Sequence, residues 1–192
     1  MPKSLFVFYG TRRLICIFKE EEIKAIFLFS YFSKEVISMG KLIVLEGLDG
    51  SGKKTQAELL VNRLKTNKVD VQHLEYPNYD SKSSELVKMY LKGEISSSVE
   101  EISPYLSSVF FAADRGISYI KEWKELYENT NTIFIADRYT TSNMLYQAAK
   151  IQSLKEKEDY LNWLWDLEFN KIQIPVPDLV LSFTATANSF SP

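Results

Sequence analysis

Lys41-Leu42-Ile43-Val44-Leu45-Glu46-Gly47-Leu48-Asp49-Gly50-Ser51-Gly52-Lys53-Lys54-Thr55 is the stretch that decides how this chain is read. Its first six residues are a short apolar run rich in branched side chains, as in a strand buried on both faces. After the glycine-rich turn, Ala57, Leu60, Val61 and Leu64 fall on one stripe of a helix predicted from Lys53 to about Asn67. Gly47 to Lys53 fits G-x-x-x-x-G-K in the strand–turn–helix context that this motif requires. The glycines let the backbone curl until successive N–H groups point at one anion, and the helix N-terminus adds partial positive charge. Lys53 supplies a movable cation for β- and γ-phosphates. The plainer reading is a tight turn and nothing more, and a lysine at this offset argues against it. One position departs from the motif. Where Ser or Thr would hold Mg²⁺ through a hydroxyl, the chain has Lys54 and then Thr55. An ammonium cannot ligate a cation, so Thr55, water or another group has to carry the metal.

Outward from this stretch, strand and helix signals alternate. Residues 69–76 read as a second strand ending at Pro77, and 132–137 and 178–183 as two more. Helices are expected over 84–91, 103–127, 141–151 and 156–171, with Ser103-Pro104 as N-cap and first helical position. Strands separated by helices imply an α/β fold with parallel strands and right-handed crossovers. The chain has 192 residues, 45% of them hydrophobic, with 23 basic against 25 acidic side chains, the size and balance of one globular domain. No basic excess suits a nucleic-acid surface. The single cysteine, Cys16, and the single histidine, His73, weigh against disulfide scaffolds, His-rich metal sites and Ser-His-Asp hydrolases.

Residues 1–38 are different in kind. They hold six of the twelve phenylalanines, in apolar bursts at Leu5–Tyr9, Leu14–Phe18 and Ile23–Phe32. Lys19, Glu20, Glu21, Glu22 and Lys24 break every window long enough to span a membrane, and no cleavage site follows. The regular alternation starts at Met39, which is the expected physiological start, with 1–38 as an upstream extension. The expected organisation is therefore an extension over 1–38 outside the fold, a nucleotide-handling domain over 39–184 and a tail over 185–192.

Two further segments carry chemistry. Asp137 closes an apolar strand, so its carboxylate is expected at the carboxyl edge of the sheet, where open α/β sheets bind ligands. It could hold Mg²⁺ or orient an acceptor, with Arg138 forking onto phosphate oxygens. On the helix through Phe111-Ala112-Ala113-Asp114-Arg115, Phe111 and Arg115 share a face. A ring and a guanidinium one turn apart can stack on a nucleobase and bind its carbonyl oxygen. A core phenylalanine beside a solvated arginine is the plainer reading.

Together these residues resemble the thymidylate kinase family. The resemblance rests on Leu45–Gln56, Tyr76-Pro77, Phe111–Arg115, Asp137–Gln147 and Pro177–Leu181, in that order, and covers about 39–183. Several blocks look most like clostridial and related bacterial versions. The resemblance implies a P-loop NTPase fold and transfer of the ATP γ-phosphate to dTMP, giving dTDP, with Mg²⁺. It implies that Gly47, Leu48, Asp49, Gly50, Ser51, Gly52, Lys53, Lys54 and Thr55 surround ATP, and that Thr55 and Asp137 serve the metal. On the acceptor side it implies Arg138 at the dTMP phosphate, Phe111 stacked on thymine, and Arg115 at O4. Asp49 would lie near the sugar 3′-hydroxyl, with Pro77, Tyr146 and Gln147 lining the pocket. Lys53, Asp137 and Arg138 would be the catalytic set. It further implies a cytoplasmic protein acting on small molecules without nucleic acid or membrane, and a possible homodimer.

The departures from the family are specific. Asn78 and Tyr79 stand where many members have an arginine, and Gly50 occupies the P-loop position that some members make basic. Catalysis would then depend on an arginine-rich lid, which is expected beyond Phe183 along with a fifth strand and a last helix. The residues 184–192 match none of these and read as a truncation or frameshift, which implies impaired turnover, since such an arginine is worth about 10³–10⁵ in rate. Two rival readings follow: another deoxynucleotide or deoxynucleoside kinase, and a non-catalytic nucleotide-binding relic.

Overall fold

In the computed structural model, residues 39–96, 98 and 101–183 are described, together with the backbone of 6–8 and 14–18. The strands are β1 (Phe6–Phe8), β2 (Leu14–Phe18), β3 (Lys41–Gly47), β4 (Val71–Glu75), β5 (Ile133–Asp137) and β6 (Leu179–Phe183). The helices are α1 (Lys53–Thr66), α2 (Glu85–Leu91), α3 (Pro104–Ser118), α4 (Lys124–Asn129), α5 (Thr140–Ala148) and α6 (Leu154–Trp165). They divide between two compact units. One comprises Met1–Leu74, Leu126–Asp137 and Pro177–Pro192, the other Glu75–Glu125 and Arg138–Val176.

The first unit is organised by β3. It lies between β5 and β6 and is parallel to both, in the sheet order β1-β2-β6-β3-β5-β4. Ile43 and Leu45 share one core with Ile135, Leu179 and Leu181, covered by Ala57, Leu60, Val61 and Leu64 of α1. Leu42, Val44 and Phe134 are equally buried, so β3 is enclosed on both faces, as its unbroken apolar run predicts. Asp178 sets the β6 register: its Oδ2 accepts from the Leu42 N–H at 2.9 Å, and its own N–H donates to the Leu42 carbonyl at 2.8 Å.

Two short strands of the segment 1–38 join the sheet. β2 pairs in parallel with β6 from Leu14↔Leu179 to Phe18↔Phe183, and β1 pairs antiparallel with β2. A strand edge presents unpaired N–H and C=O groups, and an apolar, branched segment such as Leu14–Phe18 can satisfy them. The rest of the extension and residues 184–192, including the expected tail, lie outside the described residues.

In the second unit α3 starts as its sequence predicts, with the Ser103 hydroxyl accepting from the Leu106 N–H at 3.1 Å and Pro104 in the first turn. The helix expected over 103–127 is interrupted. Tyr119–Trp123 widens into a π-turn, and a second π-turn, Asp166–Lys171, follows α6. Such widened turns insert a residue into the ladder and swing a side chain to a new direction. Each carries a buried anchor. Trp123 donates from Nε1 to the Tyr76 hydroxyl at 3.1 Å, and Glu168 is fully buried. Burial pushes the Tyr76 hydroxyl up to about 12, with its bonds to Ser118 and Trp123 pulling the other way.

Truncating Leu45, which is fully buried, to alanine is expected to cost about 3 kcal/mol. Truncating Leu59, exposed on α1, is expected to cost under about 0.5 kcal/mol. Urea unfolding of both variants checks this, and equal losses would contradict the placement of the core.

Candidate nucleotide site

The turn between β3 and α1 bends at two glycines. Gly50 has φ 79° and Gly52 has φ 76°, a left-handed conformation that side chains resist. α1 therefore begins without a side-chain cap and without an acidic residue in its first turn. Its first N–H groups and its partial positive charge are left for an anion.

Lys53 does not project freely into solvent. Its Nζ lies 2.7 Å from Asp137 Oδ1, and the two side chains are only 9% and 6% exposed. Parallel pairing explains the meeting: Leu45 lies opposite Asp137, so loop and carboxylate emerge at one end of the sheet. The contact is charge against charge and is not aligned as a hydrogen bond. Asp137 Oδ1 and the Ser51 hydroxyl are both buried with their hydrogen-bonding capacity unused. Two such oxygens beside an anion cradle suit a polyphosphate and its cation. No group of three or more His, Cys, Asp or Glu among the described residues could hold a metal unaided. A divalent cation here needs phosphate oxygens and water to complete its shell. Leu48, Asp49, Gly50, Lys54 and Thr55 are exposed.

The remaining expected residues lie in the second unit. Arg138 directly follows Asp137 and adopts φ 65°, a left-handed backbone rare for arginine and a frequent mark of functional sites. Its Nη1 donates to Ser142 Oγ and to the Tyr146 hydroxyl, each at 3.3 Å, and the guanidinium lies 5.4 Å from the Tyr146 ring centroid. The structure thus brings together Arg138 and Tyr146, two of the expected acceptor residues. Gln147 is buried, and its Oε1 accepts from the Ser107 hydroxyl at 2.8 Å. Phe111 is half-buried and meets the edge of Tyr90 at 5.9 Å. Pro77 is half-buried.

Arg115 is not the solvated arginine of the plainer reading. It is 3% exposed, and its Nε and Nη2 donate to Glu168 Oε2 and Oε1 at 2.7 and 2.5 Å. Burial works against its charge, but the Glu168 carboxylate and these bonds outweigh that, so its pKa lies above the ordinary value. Thr140 donates to Glu168 Oε2 at 2.8 Å, and Asn143 Nδ2 lies 3.5 Å from Oε1. Asn143 Oδ1 is buried with no partner. Sequence reasoning missed Glu168 and Asn143. The first looked like one more charge in a helical run, and the second like filler within Asp137–Gln147.

Among the described residues no helix is long and apolar enough to cross a membrane. His73 is exposed on β4, consistent with an edge histidine, and Trp123 is buried as a core residue.

The parallel sheet flanked by helices, with its glycine loop leading into α1, is the P-loop NTPase fold. The family model for thymidylate kinase matches residues 45–181. A thymidylate kinase of Plasmodium falciparum is 37% identical over 117 residues, 58% of this chain and 50% of that protein. One of Schizosaccharomyces pombe is 31% identical over 144 residues, 74% of this chain and 60% of that protein. The solved thymidylate kinase of Candida albicans superposes with a TM-score of 0.58 at 25% identity, covering 79% of this chain and 65% of that one. The chain belongs to the thymidylate kinase family, and it spans 50% and 60% of the length of these two curated relatives.

Because Arg138 holds a left-handed φ, Arg138→Gly should be more stable than Arg138→Ala by about 1 kcal/mol. Urea denaturation of the two variants measures this, and equal stabilities would mean that the backbone does not hold that φ.

Proposed function

We propose that the protein transfers the γ-phosphate of ATP to dTMP, giving ADP and dTDP. The observation that carries the reading is the buried Lys53–Asp137 pair at the end of the glycine loop, in which the Ser51 hydroxyl is also buried and unused. It is a charge arrangement suited to receiving a polyphosphate. Loop amides and Lys53 hold the β- and γ-phosphates, and Asp137 and Thr55 hold the metal or its water. Bound Mg²⁺ neutralises charge on the phosphate oxygens. A terminal oxygen of the dTMP phosphate forms a bond to the γ-phosphorus as the bond to the ADP oxygen breaks.

On the acceptor side Arg138 and the Tyr146 hydroxyl grip the monophosphate, and Phe111 stacks on the base. Arg115 donates to thymine O4. Asn143, adjacent at the same Glu168 oxygen, offers its unused Oδ1 to the N3–H. Cytosine reverses both of these groups, presenting an amino donor and an N3 acceptor. Positioning and charge neutralisation suffice for this chemistry, so the lack of a catalytic histidine or cysteine is no obstacle.

ADP release with MgATP and dTMP, dUMP, dCMP, dAMP or thymidine as acceptors tests the reading. Turnover should be fastest with dTMP, and Lys53→Ala should abolish it. Turnover restricted to another acceptor would favour a different nucleotide kinase, and no binding of ATP or dTMP would overturn the proposal. Lys54 in the metal-binding hydroxyl position favours one second reading, a non-catalytic nucleotide binder, for which binding without turnover would speak.

We also propose a homodimer through α3, whose Leu106, Val109 and Ile117 are all exposed, with Ile120 just beyond its end 66% exposed. Light scattering should return twice the chain mass, falling to one chain in a Val109→Glu/Ile117→Glu variant.

A further inference from the structure

We propose that Glu168 is a positioning residue that sets the specificity of this site by fixing Arg115 in the one orientation that reads the base. The inference rests on the dTMP-kinase reading and deepens it. A lone arginine could swing among rotamers and offer donors to any acceptor. Here the carboxylate takes the Nε/Nη2 edge of the guanidinium through two bonds, at 2.7 and 2.5 Å. That leaves the Nη1 edge to meet a ligand carbonyl, with the plane of the fork set by Glu168.

The carboxylate is itself held. It is fully buried, the Thr140 hydroxyl donates to Oε2 at 2.8 Å, and its backbone lies within the π-turn Asp166–Lys171. Asn143 Nδ2 donates to the Ser108 carbonyl at 3.2 Å and reaches Glu168 Oε1 at 3.5 Å, and its Oδ1 is buried and unpaired. Glu168 thus orients the donor and, together with the Ser108 carbonyl, the neighbouring acceptor, the pair that a keto-pyrimidine with an N3–H requires.

The test is calorimetric binding of dTMP, dCMP and ATP to the full chain and to Glu168→Gln, with steady-state kinetics where turnover is measurable. The glutamine keeps one acceptor but turns an NH₂ group against the Arg115 donors. dTMP affinity is expected to fall about tenfold or more, with the preference over dCMP shrinking and ATP affinity unchanged. In kinetics KM for dTMP should rise more than kcat falls. Glu168→Asp keeps the charge one methylene further back, and should recover part of the affinity and most of the discrimination. If Glu168→Gln does not fold, Glu168→Asp carries the test, with dTMP expected about threefold weaker at unchanged ATP affinity. A folded variant that binds dTMP as tightly and as selectively as the parent chain overturns the proposal, as does equal weakening for dTMP, dCMP and ATP. If the parent chain binds ATP but no dTMP, the underlying reading fails with it. A parent that binds dTMP selectively and a variant that does so equally well sinks the Glu168 role alone.

Discussion

The ion pair between Lys53 and Asp137 is the constraint on which the nucleotide site depends. Burying two charges is costly, and the cost is tolerable only when the partners are close and fixed. Closeness here is a property of the sheet. β3 pairs in parallel with β5, so residues at the carboxyl ends of both strands share one edge, and Leu45 stands opposite Asp137. The loop after Gly47 and the carboxylate at the end of β5 must then meet. The contact holds the Lys53 ammonium in place.

A second buried pair, Arg115 and Glu168, plays a different part. It is satisfied from several sides, with the Thr140 hydroxyl on one carboxylate oxygen and the Asn143 amide near the other. Such a network holds one geometry because every departure leaves a buried charge short of a partner. Around the second pair, Asn143 Oδ1 is the buried polar atom left without a partner.

Backbone strain points the same way. Gly50 and Gly52 take left-handed angles that glycine adopts at no steric cost, but Arg138 takes one that arginine resists. Ser142 and Tyr146, one and two turns further along the chain, bind the side chain and offset that cost.

By itself the sequence determined the α/β alternation, the phosphate loop, the cap of α3 and the burial of β3. Each of these is written in neighbouring residues: a run of branched apolar side chains, glycines at fixed offsets, a serine before a proline. It placed Phe111, Arg115, Asp137 and Arg138 among the candidates for the same reason. Only the tertiary structure decided what these groups touch. Glu168 meets Arg115 across 53 positions of chain, and the π-turn that delivers it interrupts a stretch whose helical periodicity gave no warning. The pairing of Leu14–Phe18 with β6 was equally hidden, because an apolar burst fits a strand, a core helix or a surface anchor until an open edge selects among them. Local propensity depends on adjacent residues, whereas charge pairing and strand register depend on which distant segments the fold brings to the same place.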